Sequence, residues 1–268
     1  MRFRQAFRHF VLPVLGGLLC LQASAGPTLQ RIQARGEVNV CIWPDYYGIS
    51  LRHPATQQLT GLDVDLARAL AQDLKAEVRW VDSSFVTLVD DLLKQRCDVA
   101  MFAVGMLPAR MEKLRFSRPY LQSDIYAVST RTSRVVRRWD DIDQPGVNVA
   151  VQAGTFMEPV MQQHLKHARL VRVSPPATRE RELESGRVDV FMTDYPYSRR
   201  LLDNADWAQL ISSPRPFHVL PYAYPVAPGD DEWHATVDAF VARIQGDGRL
   251  AAAARRHGLT PIVVKGRE

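Results

Sequence analysis

Two α/β lobes, each a parallel sheet covered by helices and joined to the other by two extended connectors, form the fold class that this sequence predicts. Three observations carry the prediction. Short apolar runs of β-formers alternate with amphipathic stretches in the order strand, helix, strand, helix, strand. Phrases of the first half return in the second in the same order: Val38-Asn39-Val40 as Val147-Asn148-Val149, and Arg96-Cys97-Asp98-Val99-Ala100-Met101 as Arg187-Val188-Asp189-Val190-Phe191-Met192. Two extended segments, 125–130 and 222–227, stand where the chain would leave the first lobe and come back to it.

The elements follow in order. Residues 1–25 hold Arg2, Arg4 and Arg8, an apolar run over 10–21, and Ala23-Ser24-Ala25 before Gly26. A basic start, an apolar stretch short for a bilayer and an A-x-A site read as a secretory signal peptide. Leu19 stands where lipidation of Cys20 would need a small residue, which argues against a lipoprotein. Residues 26–125 then form the first segment of lobe I, 126–221 lobe II, and 222–268 the return to lobe I and a tail. Within lobe I, 38–42 reads as a strand. Apolar residues at 62, 66, 69, 70 and 74 give the helical period, with Gly61 and Asp63 at its start. The alternation over 78–81 predicts a second strand. Ser83-Ser84 offers an N-cap for a helix carrying Phe85, Leu88, Val89, Leu92 and Leu93. A third strand is expected over 98–104. After the return, Trp233, Val237, Phe240, Val241 and Ile244 mark one helix face, and a short basic helix over 250–257 closes at Gly258.

Charge excludes one class of partner. The 34 Lys and Arg against 29 Asp and Glu fall to 31 against 29 once the three leader arginines are removed, and no basic block suggests nucleic acid. The mature chain of about 240 residues is long enough to bury a sizeable core. Without Cys20, Cys41 and Cys97 remain as a pair that either forms a disulfide in an oxidising compartment or packs as two buried thiols. His164 and His167 have no acidic or cysteine companions, so no metal or other cofactor is expected.

Several phrases together resemble one family. They are Gly61-Leu-Asp-Val-Asp-Leu66, Phe85, Cys97-Asp98-Val, Arg110, Phe116-Ser-Arg-Pro-Tyr120, Gln152-Ala-Gly-Thr155, Thr193-Asp194 and Asp247-Gly-Arg249. In this order they resemble the periplasmic solute-binding proteins of ABC importers that bind polar amino acids. The resemblance implies a type II periplasmic binding protein fold, two lobes closing by a hinge on a ligand between them, a monomer, and a permease in the inner membrane as partner. It implies that Arg110 clamps a ligand α-carboxylate, with backbone groups of Ala103 and Gly105 beside it. Thr155, at a helix start, adds donors to that carboxylate. Asp194 takes the α-ammonium, and Tyr46 and Phe85 sandwich the ligand side chain. A guanidinium for a carboxylate and a carboxylate for an ammonium are the two handles an α-amino acid needs. Asp194 also suits the N-cap of a helix opened by Pro196, and Asp63 and Asp65 are read as serving a helix start.

Departures from the family pattern bear on the ligand. Leu107 removes a hydroxyl usual three residues before the arginine, Phe156 follows Thr155 where a second hydroxyl is common, and Trp43 replaces the acidic residue kept by binders of cationic amino acids. Trp43, Tyr46, Tyr47, Phe85, Phe102 and Phe156 are expected to line an aromatic cleft for a ligand with an apolar portion, not a basic amino acid. Two rival functions share the fold. Cyclohexadienyl and arogenate dehydratases would be expected to place a glutamate shortly after Thr193-Asp194, where this chain has Tyr195-Pro196-Tyr197. Accessories of periplasmic quinoprotein dehydrogenases resemble the chain at Cys41 and Cys97 but tend to lack the arginine and aspartate handles. A non-enzymatic receptor is therefore the expected function.

Overall fold

The computed structural model describes residues 26–265; the expected signal peptide and the last residues of the tail lie outside them. In the first lobe the strand Glu37–Ile42 sits between Glu77–Asp82 and Val99–Ala100, all parallel, with Val40 opposite Trp80 on one side and Val99 on the other. In the second lobe Asn148–Gln152 sits between Arg169–Val173 and Val190–Asp194, again parallel. That sheet continues through Ile125–Thr130, antiparallel to both Val190–Asp194 and Ala208–Ile211. The outgoing connector is thus the strand that opens the second sheet. The chain returns through Leu220–Ala223, which pairs antiparallel with Val104–Gly105 and Leu121–Ser123 of the first lobe.

The repeated phrases build one device twice. Asn39 N–H donates to Asp98 Oδ2 at 2.8 Å and Asp98 N–H to Asn39 O at 2.8 Å. In the other lobe Asn148 N–H donates to Asp189 Oδ2 at 2.8 Å and Asp189 N–H to Asn148 O at 3.0 Å. Each aspartate side chain satisfies a backbone donor at the start of a central strand, and so fixes where the third strand joins. In the first lobe Arg31 also pairs with Asp98, at 2.7 Å, and the Cys41–Cys97 disulfide ties the same two strands.

Helix Leu62–Asp73 buries Leu62, Leu66 and Leu70, and Asp231–Gly246 buries Trp233, Val237, Phe240, Val241 and Ile244. Each such side chain contributes about 1.5–3 kcal/mol relative to exposure. Gly61, at φ 138°, is required at the first helix: a Cβ there would lie 2.1 Å from Ile49 O.

Three expectations need correction. The strand expected over 98–104 is broken into Val99–Ala100 and Val104–Gly105, with Ala103 between them at φ 50°. The break has a cause, because the buried Asp63 carboxylate accepts Ala103 N–H at 2.7 Å and draws the chain out of the ladder. Asp63 accordingly does not serve its helix start; Leu62 and Asp63 N–H donate instead to Gly48 O and Ile49 O, at 2.9 and 3.0 Å. Asp65 pairs with Arg256 and with His257 Nε2. The regular helix expected directly after Ser84 begins at Leu88, with a turn carrying Phe85 between them; Ser84 itself caps as read, its Oγ accepting Thr87 N–H at 3.2 Å and its carbonyl Leu88 N–H at 2.9 Å.

Candidate functional site

Trp43, Tyr46, Phe85, Ala103, Gly105, Arg110, Thr155, Phe156 and Asp194 line a single cavity between the lobes. On the first-lobe side Leu107-Pro108 starts the short helix Pro108–Met111, which carries Arg110. Arg110 is buried, donating from Nη1 to Gly105 O at 3.1 Å and from Nη2 across the cleft to Gly154 O at 2.7 Å. It makes no ion pair among the described residues. Burial lowers its pKa to about 10, against the opposing pull of Tyr222 and Tyr46, so the guanidinium stays charged at neutral pH. Phe85 faces it with the ring centre 5.6 Å from Cζ.

On the second-lobe side Asp194 ends the strand Val190–Asp194 and caps the helix Tyr195–Leu202. The cap and ligand-handle readings are therefore compatible. Oδ1 accepts from Tyr197 N–H at 3.2 Å, while Oδ2 accepts from Tyr222 at 2.7 Å and from Tyr46, which reaches over from the first lobe. Burial raises the Asp194 pKa, and the tyrosine hydrogen bonds and Arg179 pull it back.

Thr155 faces the cavity, but the helix it was expected to open starts two residues later, at Met157, and its hydroxyl donates to Gln152 O at 2.7 Å. The turn is set by Gly154, at φ 76°, whose Cβ would fall 2.9 Å from backbone atoms of Phe85 and Val86. The lobes touch backbone to backbone there. Trp43, Tyr46 and Phe85 form a ring cluster with centres 5.2–5.8 Å apart. Phe102 and Tyr47 do not join the cavity wall: Phe102 is fully buried behind Phe85, and Tyr47 packs against Tyr197.

Sequence reasoning missed Arg179, Thr193, Tyr197 and Tyr222, which line the same cavity. A signal for Arg179 was present: it lies four residues before Leu183, on the buried face of its helix. Tyr222 looked like part of a connector, and nothing in the sequence ties it to Asp194. The cavity is about 20 Å³, room for little more than one water, so entry of any larger solute requires the lobes to part. A hollow of about 800 Å³ on the second lobe, beside Trp139 and Phe217, contains none of these residues.

Comparison with known proteins agrees with this architecture. The family of bacterial extracellular solute-binding proteins, family 3, matches residues 38–260. The cyclohexadienyl dehydratase of Pseudomonas aeruginosa is 28% identical over 256 residues, 92% of each chain. The L-cystine-binding protein of Escherichia coli is 24% identical over 229 residues, 85% of each chain. Among solved structures, an ancestral amino acid-binding protein described as a precursor of cyclohexadienyl dehydratase superposes with a TM-score of 0.78 at 27% identity, over 85% of this chain and 98% of that one. The fold is that of the two-lobed type II binding proteins, and by the extent of the family match the chain belongs to the bacterial extracellular solute-binding proteins of family 3.

Proposed function

We propose that the chain is an exported, monomeric receptor that captures an amino acid or related small carboxylate between its closing lobes and delivers it to an ABC import permease, without catalysing a reaction on it. One observation carries the reading: a buried guanidinium on one lobe and a buried carboxylate on the other face a common cavity. Arg110 offers parallel donors to an α-carboxylate. Asp194 has an acceptor position left on Oδ1 for an α-ammonium. The signal peptide read over 1–25 supports a periplasmic site of action. Trp43, Tyr46 and Phe85 supply no charge for a basic side chain, which supports a ligand with an apolar portion.

Calorimetric titration of refolded, ligand-stripped protein with a panel of amino acids tests the proposal. Arg110→Ala is expected to cost about 2–5 kcal/mol of binding, since it leaves the ligand carboxylate buried and unpaired. Unchanged affinity removes Arg110 from the site, and tight binding of arginine or lysine overturns the expected ligand class.

A second reading, a dehydratase, is favoured by the similarity to cyclohexadienyl dehydratase along most of both chains. Asp194 is the sole carboxyl lining the cavity among the described residues, and its raised pKa suits proton donation. Turnover of prephenate, followed by ultraviolet absorbance, decides between the two.

A further inference from the structure

The cavity holds more positive charge than an ordinary amino acid can answer. Arg179 lines it from the second lobe and is only 4% exposed. Its guanidinium lies 4.4 Å from the Tyr197 ring centre and 5.3 Å from that of Phe191, and Nη1 donates to Met192 O at 2.9 Å. No carboxylate forms an ion pair with it among the described residues. Its neighbour Glu180 instead accepts from the Tyr197 hydroxyl at 2.6 Å. Arg110 and Arg179 therefore stand against a single carboxylate, Asp194, in the cavity wall. A zwitterionic amino acid would neutralise Arg110 and Asp194 and leave Arg179 buried and unanswered, which is costly.

A second, independent observation lies beside it. Thr193 is fully buried in the same wall, and its Oγ1 has no hydrogen-bond partner. Buried hydroxyls are seldom left so, because an unmade bond forfeits the full desolvation cost. Met192, whose carbonyl holds Arg179, immediately precedes Thr193, so the free hydroxyl and the unpaired guanidinium gather at one strand end.

Resting on the receptor reading, we propose that the preferred solute is an α-amino acid bearing a second carboxylate, with Arg110 and Asp194 holding the amino acid head and Arg179 and Thr193 holding the distal acid. Such a ligand leaves no net charge inside the closed cleft. It also gives a partner to the Thr193 hydroxyl, which has none among the described residues.

The test is calorimetric titration of ligand-stripped protein with L-glutamate and L-2-aminoadipate, each against its side-chain amide. The acid is expected to bind about tenfold to a hundredfold tighter than the amide, as for a desolvated charge pair. Arg179→Gln is expected to bring the ratio of the two dissociation constants toward one, while Arg179→Lys retains part of it; melting curves of both variants report folding. An amide bound as tightly as its acid by the unaltered protein overturns the proposal and leaves the receptor standing, as does a preference that survives Arg179→Gln. Binding of no amino acid, acid or amide, removes the receptor reading and this proposal together. If Arg179→Gln fails to fold, the acid-to-amide ratio of the unaltered protein still decides.

Discussion

Two buried carboxylates in this molecule have nearly the same partners and different work. Asp63 accepts from Tyr120 at 2.6 and 2.8 Å, from Tyr224 at 2.7 Å and from Ala103 N–H at 2.7 Å. Asp194 likewise has two tyrosines and one backbone amide. Tyr222 and Tyr224 are two residues apart on the same return segment, one for each aspartate. Burial, with the adjacent carboxylates, raises the pKa of all four tyrosines well above the ordinary value, so they remain donors. The difference is where the donors live. Those of Asp63 all belong to its own lobe, whereas Asp194 sits on the second lobe and takes both hydroxyls from the first. One cluster is held within a single lobe, and the other spans the two, so the lobe closure of the proposed receptor would make and break it. Identical chemistry is enclosed in one lobe in one place and faces the cavity between the lobes in the other, through topology alone.

The largest effect separates them by stability. Asp63→Ala orphans three buried donors and is expected to lower unfolding free energy by about 3–5 kcal/mol in urea melts. Asp194→Ala should cost visibly less, since opening of the lobes lets water reach Tyr46 and Tyr222. Equal losses would break the comparison. Asp194→Asn, which keeps the shape, should instead appear in affinity, weakening ligands that carry an ammonium by about 2–5 kcal/mol while sparing those that lack one. Titration of an amino acid beside its deaminated analogue reads this directly.

Acidity sharpens the contrast. Burial raises the Asp63 pKa from 3.8 to about 6, with Tyr120, Tyr224 and Ala103 pulling it down. The native state therefore binds more protons than the unfolded chain between those values, and stability falls as pH rises through that window. The group's stabilisation is complete below pH of about 4 and is lost above about 6, a change of about 3 kcal/mol. Asp63→Asn should flatten that part of the stability curve, as measured by chemical denaturation from pH 4 to 7. A slope that persists in the variant assigns the effect to another group.

How much of this was legible in the sequence follows from how far apart the partners are. The positions of Arg110 and Asp194 were legible from local phrases, Arg110 on the short helix that follows strand Val104–Gly105 and Asp194 at the end of strand Val190–Asp194. The paired devices at Asn39–Asp98 and Asn148–Asp189 were visible as an echo, since both halves keep the same residues in the same order. The Asp63 cluster was not readable. Its tyrosines lie 57 and 161 residues away, and a buried carboxylate beside a helix start resembles a cap until the tertiary partners are placed. The same blindness misread 98–104 as one strand, because the residue that breaks it, Asp63, acts from another element. Arg179 was obscured by its company, the charged run Thr178-Arg-Glu-Arg-Glu-Leu183, which resembles a solvated face although its helical spacing from Leu183 points inward.

The smallest expected effect tests the comparison most directly, by removing one hydroxyl from each cluster. Tyr46 bonds Asp194 Oδ2, which Tyr222 also holds, and leaves an acceptor position on Oδ1 beside the Tyr197 amide. An ammonium can therefore approach Oδ1 without displacing Tyr46, whose hydroxyl then acts as a latch between the lobes. Tyr46→Phe is expected to lower affinity by about 1–2 kcal/mol, the worth of one hydrogen bond to the closed state. X-ray scattering of the ligand-stripped variant should give a larger radius of gyration than that of the unaltered protein. Tyr120→Phe, which removes a hydroxyl from the cluster held within one lobe, should lower the melting temperature and leave that radius unchanged. If the two substitutions give the same scattering and the same loss of affinity, the Asp194 cluster is frame as well. If Tyr46→Phe tightens binding, its hydroxyl competes with the ammonium instead of latching the lobes.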